Sequence, residues 1–578
     1  MYLRPTYIRK QGQVYAYWKL VESYRTERGP RQRTVAHLGR MDEAGRLGME
    51  EAATAPTGQS SQKELFPETV PEPRFVEIDR TSVRVENGRQ FGGPWLALEL
   101  IRKLGLNEFL KGIMPSGKES VPWSVTALIL VIGRFCKPSS ELHLAEHFYR
   151  GSSLAELLGV PAIQVDDNRL YRGLDELLPH KESLEVFLKN RFGELFGIEY
   201  DLLLYDVTST YFEGQAPHNP LAKRGYSRDH RPDCKQVCIG LVVTRCGLPL
   251  GYQIFAGNRH DSTTLKEVVE LMESRYGKAQ RIWVMDRGMV SKENLDFMRE
   301  GSRQYIVGTP KSQLKRFEQH LVSKDWRIIR EGLEVKLCPC PEGGTETFIL
   351  CRSRDRRLKE KAMHDRFEKR IEEGLTQIEA SCKSQKQDPL KISRRVGKLL
   401  GQNSRAGGLF EIQVSSDAKG AAHIEWTKVE KWRDWSDLSE GAYLLRSNVT
   451  HWTDEELWKA YIQLTEAEEA FRIQKNDLSL RPVWHQKEDR VGAHILVCFL
   501  AFVLWKFLGQ LCKKGNLGDN PRKVLDELAG IQAVDVVFKT KNGKEIRNRC
   551  VTQPSDHQKI LLQNLGLEIP KNLRLLQM

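Results

Sequence analysis

From residue 92 to 196 apolar positions recur at helical spacing. "WLALELIRKLGL", "SVTALILVIGRFC", "SSELHLAEHFYR" and "DDNRLYRGLDELL" are separated by Gly, Pro and Ser breaks, and they predict a mostly helical region. The period changes at 198. "IEYDLLLYDVTSTYFEG" and "KQVCIGLVVTRCGLPLGYQIFAG" predict three consecutive strands, the second and third joined by a turn at Gly247. "DSTTLKEVVELMESRYG" follows as a helix, with Asp261 or Thr264 as its cap and Glu267 completing a capping box with the latter. "RIWVMDRGM", "SKENLDFMREG" and "RQYIVGTP" continue as strand, helix and strand.

Three antiparallel-type strands followed by alternating helix and strand predict an α/β fold, a mixed sheet of the ribonuclease-H-like kind. The catalytic domain is expected at 198–310 and 441–512, because the sheet pattern resumes at "GAYLLRSN". Residues 311–440 interrupt it. They mix short β-prone pieces with the charged helical stretch "RLKEKAMHDRFEKRIEEGLTQIEASCKS" and are expected to form a β-rich insertion. Ahead of the catalytic domain, 1–45 predicts a small basic β-hairpin unit around Gly12, 46–75 a flexible linker poor in bulky apolar residues, and 76–197 the mostly helical region. Residues 513–578 form a C-terminal region. The apolar run "ILVCFLAFVLW" is shorter than the roughly 20 residues that span a bilayer, so a buried core helix is expected and no membrane.

Composition adds a partner class. The 578 residues carry 89 Lys plus Arg against 76 Asp plus Glu, a formal charge of +13, which favours a polyanion, with nucleic acid ahead of an anionic membrane. The 11 scattered cysteines suit a reducing cytoplasm, and "CPC" at 338–340 has no second CxxC or HxxxH at zinc-finger spacing.

Candidate chemistry comes from carboxylates placed among apolar residues. Asp206 lies within the strand "LLLYDVTSTYF", and Asp286 ends the apolar strand "IWVMD", the end at which α/β sheets open their sites. On a helix of about 100° per residue, Leu457, Tyr461, Leu464, Glu468, Phe471, Lys475 and Leu478 form one stripe. Glu466 and Glu469 fall off that stripe and are expected to be solvated. Glu468 and Lys475 are about 10 Å apart along the axis at about 1.5 Å per residue, too far for a good ion pair. A metal shared with Asp206 and Asp286 would satisfy Glu468, and a phosphate Lys475; snorkelling to an exposed edge would satisfy both equally. Three carboxylates on separate elements suit two-metal phosphoryl transfer with Mg²⁺, in place of which Mn²⁺ can act. The basic loop "KRGYSRDHRPDCKQ" at 223–236, with Arg228 and Lys235, lies where it can track a DNA backbone, though an ordinary solvated loop reads the same way.

These residues resemble the catalytic core of DDE transposases of bacterial insertion sequences. More narrowly, they are similar to the insertion-sequence-4 superfamily and its insertion-sequence-1634 branch. The superfamily signature is Tyr, two residues, Arg, three residues, Glu, six residues, Lys. Tyr461, Glu468 and Lys475 match it, whereas Leu464 stands where the signature has Arg; Arg472, one turn beyond Glu468, offers a charge nearby. "YDVTSTYFEG", "GYSRDHRPDCKQVCIGLVV", "GNRHDSTTL", "VMDRGM" and "EEAFRIQKNDLSLRPVWH" are similar to recurring blocks of the branch.

The resemblance implies that Asp206, Asp286 and Glu468 are the catalytic, metal-binding residues. It implies too that Tyr461 and Lys475 contact DNA phosphates at the element's ends. A mostly β insertion between the second aspartate and the glutamate is also implied, as is an insertion-domain tryptophan holding a flipped base in hairpin-forming relatives, for which Trp326, Trp426, Trp432 and Trp435 are available. The function expected is cut-and-paste DNA transposition of an insertion sequence, acting on terminal inverted repeats and target DNA as a homodimer in the bacterial cytoplasm. The helical region would bind DNA. The rivals are a nuclease of the same fold without strand transfer and a catalytically inactive DNA-binding derivative, against which the three intact acidic positions argue.

Overall fold

The computed structural model of the chain describes residues 2–10, 13–26, 29–39, 76–417, 420–570 and 573. At the N-terminus β1 (Tyr2–Lys10) and β2 (Gln13–Thr26) pair as the expected hairpin, and β3 (Gly29–Gly39) adds a third antiparallel strand. The linker expected at 46–75 lies outside the described residues. The next region opens with a strand, β4 (Ile78–Gln90), before its helices begin.

Those helices do not form a body of their own. Trp123–Cys136 is apolar nearly all round, and a helix of that kind must be buried on every side. It packs against Glu488–Lys514, a 27-residue helix long and apolar enough to cross a bilayer, whose most apolar window is 94% buried inside the protein. The run at 495–505 is thus core. The helical region and the catalytic sheet share one hydrophobic core, in which Leu130 and Leu174 meet Phe499 and Phe502.

The central sheet follows the order of its pairing. β5 (Leu202–Tyr211), β6 (Gln236–Thr244) and β7 (Pro249–Ala256) are antiparallel neighbours, and β8 (Ile282–Met285) and β9 (Gln304–Gly308) add parallel to β5 on its other side. This is the ribonuclease-H-like arrangement. The strands alternate cleanly between two faces. Leu203, Tyr205, Trp283, Met285 and Val307 pack with residues of the helices Leu265–Tyr276 and Lys292–Glu300. Leu202, Leu204, Val284 and Ile306 face the large core on the opposite side.

The insertion divides in two, which corrects the β-rich expectation. β10 (Arg327–Arg330), β11 (Leu333–Pro339) and β12 (Thr347–Ser353) extend the central sheet itself, giving a nine-stranded order β10-β11-β12-β15-β9-β8-β5-β6-β7 once β15 (Ala442–Ser447) is counted. What stands apart is mainly helical: Arg354–Ser384, Pro389–Gln402 and Glu430–Ser439 around a single hairpin, β13 (Phe410–Ser416) with β14 (Ala422–Lys428). It has its own small core of Ile371, Leu375, Ile392, Phe410 and Ile424. Its base is closed where the Ser353 amide donates to the Gly441 carbonyl at 3.0 Å.

The C-terminal region returns to the start of the helices. β16 (Gln532–Thr540) and β17 (Glu545–Val551) form a hairpin, and β16 pairs with β4. Helix Pro521–Leu528 comes so close to Gly92 that a Cβ there would sit 1.7 Å from the Leu528 carbonyl oxygen, so only glycine fits.

Candidate active site

Strand register brings the two aspartates together. β5 and β8 pair in parallel up to Tyr205 opposite Met285, so the next residues, Asp206 within β5 and Asp286 just past the end of β8, stand side by side at one level. Such strands lie about 4.8 Å apart. Tyr205 and Met285 face one side of the sheet, so alternation directs Asp206 and Asp286 to the other. The segment carrying Glu468 packs on that same side, through Leu457, Leu464 and Phe471.

That segment is not one helix, as its periodicity predicts. It consists of Asp454–Ile462, Thr465–Arg472 and a π-helical turn at Ile473–Asp477. The break is made by tightened bonds of three-residue span, Leu464 to Tyr461 at 3.0 Å and Glu466 to Gln463 at 2.8 Å. The stripe survives the break in part. Leu457, Leu464, Phe471 and Leu478 are buried, Tyr461 is half-buried, and Glu468 is exposed at the rim of the core. Leu464, where the signature has Arg, is a core residue.

The three carboxylates act on one another. Burial pushes the Asp206 carboxyl up to about 7, and the charges of Asp286 and Glu468 add to that, while the Val207 amide, donating at 2.8 Å, opposes it. Glu468, exposed by area but set against the rim of the core, is raised by the partial desolvation there and by Asp286. Tyr461 closes the site beside Asp286: burial raises its phenol, Asp286 adds to the rise, and a Cβ at Gly308 would meet its hydroxyl at 2.5 Å. Among the described residues, none of the three carboxylates has a basic side chain in an ion pair. A set of hard oxygen donors with mutually repelling charge and no ion-paired base fits a divalent cation.

Two other groupings bear on the site. Glu141, His485 and His494 have donor atoms within 4.8 Å of one another, but the Arg134 guanidinium lies 3.4 Å from His494 Nδ1, and a fixed positive charge there opposes a second cation. Asp261, expected as a helix cap, instead binds Arg228, whose charge reaches Asp206. The Asp261 carboxylate lies 3.5 Å from the Cβ position of Gly288, in the turn after Asp286. Thr264 makes no side-chain cap either; its hydroxyl bonds the Asp261 carbonyl at 2.6 Å and Tyr205 at 2.7 Å.

The remaining basic residues divide. The Lys475 ammonium donates to Asp229 at 2.9 Å. Arg472 is exposed and pairs with Glu469 at 3.2 Å and Asp477 at 3.6 Å. Lys235 donates to the Gln215 carbonyl at 2.7 Å. Glu466 and Glu469, expected to be solvated, share Lys506 at 2.7 and 3.8 Å, which ties their helix to Glu488–Lys514.

The family model described as the transposase DDE domain matches residues 198–504, more than half of the chain. The chain belongs to the DDE transposases. The model for the N-terminal domain of IS1634 family transposases matches residues 3–62 of this transposase, placing it in that family. It is a DNA transposase, an enzyme of a class that uses divalent metal ions. Among solved structures, a cryo-EM piggyBac transposase synaptic complex with hairpin DNA is similar at 9% identity and a TM-score of 0.35, over 79% of this chain and 82% of that one. No curated protein matches.

Proposed function

We propose that this transposase performs cut-and-paste transposition, with Asp206, Asp286 and Glu468 as its catalytic, metal-binding carboxylates. What carries the reading is the meeting of three carboxylates without ion-paired bases on one face of the sheet, two of them fixed by strand register. These three carboxylates would hold two Mg²⁺ ions, or Mn²⁺ in their place, which would supply charge stabilisation for in-line displacement at a phosphodiester. Asp206, whose carboxyl burial pushes up to about 7 in the metal-free chain, must give up its proton to become a ligand. Tyr461 flanks Asp286, and with Lys475 and Arg228 it faces the DNA strand being cut. Arg472 and Lys235 lie further out on the DNA-binding surface.

The substrate is double-stranded DNA carrying the element's terminal inverted repeats, with target DNA in the joining step. Two ends must be held at once, so the working form is a homodimer acting on DNA in the bacterial cytoplasm. In domain terms, 198–310 and 441–512 carry the chemistry, while 1–45 and 76–197 bind DNA.

The deciding experiment gives the purified chain a DNA bearing the terminal repeats flanking its own reading frame, with Mg²⁺ or with EDTA. Metal-dependent cleavage and joining are expected. Asp206→Asn, Asp286→Asn and Glu468→Gln should each bring both to the EDTA level. Cleavage without end preference or joining would make it a nuclease, and binding without cleavage an inactive derivative.

A further inference from the structure

Asp229 holds an unusual position. Its side chain is only 2% exposed, and its Oδ1 accepts both from the Lys475 ammonium at 2.9 Å and from the Arg481 guanidinium. Its second oxygen, Oδ2, is buried without a hydrogen-bond partner. Lys475 is itself 9% exposed, and burial pulls its ammonium below the ordinary lysine range while Asp229 opposes that. Arg481 is 29% exposed and also donates to Asn476 at 2.9 Å, so the cluster has one open side. The neighbouring His230 sits in the left-handed region at φ 57°, a conformation disfavoured for a residue with a Cβ. Two cations thus converge on one anionic oxygen in a pocket that leaves the other oxygen unsatisfied. A tetrahedral anion with more acceptor oxygens would fill such a pocket better.

We propose that Asp229 is a surrogate phosphate: in the DNA-free protein its carboxylate occupies the seat between Lys475 and Arg481 that a DNA phosphate takes, and DNA must displace it to bind. The inference rests on the reading of Lys475 as a DNA contact. It makes Asp229 a specificity-determining residue. DNA that makes few other contacts cannot offset the loss of two ion pairs, so arbitrary sequence is bound weakly, whereas the element's ends, with more contacts, can. The loop 223–236 is the part that yields, since Asp229 lies within it.

The test measures binding of a short duplex of arbitrary sequence by fluorescence anisotropy across a potassium chloride series, in EDTA so that no cleavage intervenes. Asp229→Asn is isosteric and frees both cations. It should bind more tightly at low salt than the wild-type chain. The plot of log affinity against log salt should be steeper by about 0.9, the value for the one phosphate newly engaged. Adding Lys475→Met to Asp229→Asn should remove about half of the added slope, and Asp229→Glu, which keeps the charge, should leave the wild-type slope. Asp229→Ser serves as a second carboxylate-free variant should Asp229→Asn fold poorly. Equal or weaker binding by the carboxylate-free variants, with no steeper slope, overturns the proposal and leaves the transposase reading intact. No binding at any salt by the wild-type chain and by the carboxylate-free variants alike overturns the DNA reading of the cluster as a whole.

Discussion

Asp206 is held in conflict with its surroundings. Its carboxyl rises from 3.8 to about 7 through burial and through the charges of Asp286 and Glu468. Between those two pH values the folded chain binds more protons than the unfolded one, so stability falls as pH rises through the window and levels off above it. Asp206→Asn removes that loss. Thermal melts of the metal-free protein should show the variant more stable than wild type above pH about 7, no more stable below 3.8, and level with it once Mg²⁺ binds the wild-type site. Parallel pH profiles for the two proteins would refute this account. Leu464 presents the opposite case, an apolar residue where a charge is the family habit. It is buried at 6% exposure in the large core, so Leu464→Arg should cost about 3 kcal/mol or more by urea unfolding, without a gain in cleavage. Leu464→Met should cost less than about 1.5 kcal/mol.

At the scale of elements, the sequence was informative where burial is two-sided. The strands at 202–211, 236–244 and 282–285 are mostly apolar or β-branched and buried, and their order alone points to the sheet that forms. The two aspartates were visible as charges inside such runs. The break at 463–464 was not, because a helical stripe passes through it unchanged: Leu457, Leu464, Phe471 and Leu478 are core residues on either side. The partners of Glu466, Glu469 and Lys475 were equally invisible, since Lys506 and Asp229 come from distant segments. The tryptophans of the insertion also look different once packed. Trp326 lies beneath Lys336 and Arg352, while Trp426 and Trp432 pack against the core of the helical subdomain. Trp484, outside the insertion, is the tryptophan with a large exposed face, at 69%.

At the scale of the whole molecule, the boundaries drawn from composition misjudge what folds together. The helical region takes a strand from the C-terminal region and a core helix from the catalytic part. The subdomain at 354–440, by contrast, has its own core, and beyond its two closed ends it meets the sheet mainly through Trp435 and Leu438, which pack by Leu314 and Phe348, and through Glu360 paired with Lys311 at 2.7 Å. Replacing it with a short Gly/Ser connector between Ser353 and Gly441 should therefore leave a folded protein with a single cooperative thermal transition and wild-type metal binding measured by calorimetry. Loss of both would show that the subdomain supports the sheet.

The pairing of β4 with β16 also sets an order in time. Asn87 donates to Asp535 at 3.1 Å across 448 residues of chain. A strand made early during synthesis must wait, with its edge unpaired, until nearly all of the protein has been translated. A chain truncated before residue 532 never acquires that partner, and an early stop would leave an open, association-prone edge beside the helices instead of a smaller working enzyme.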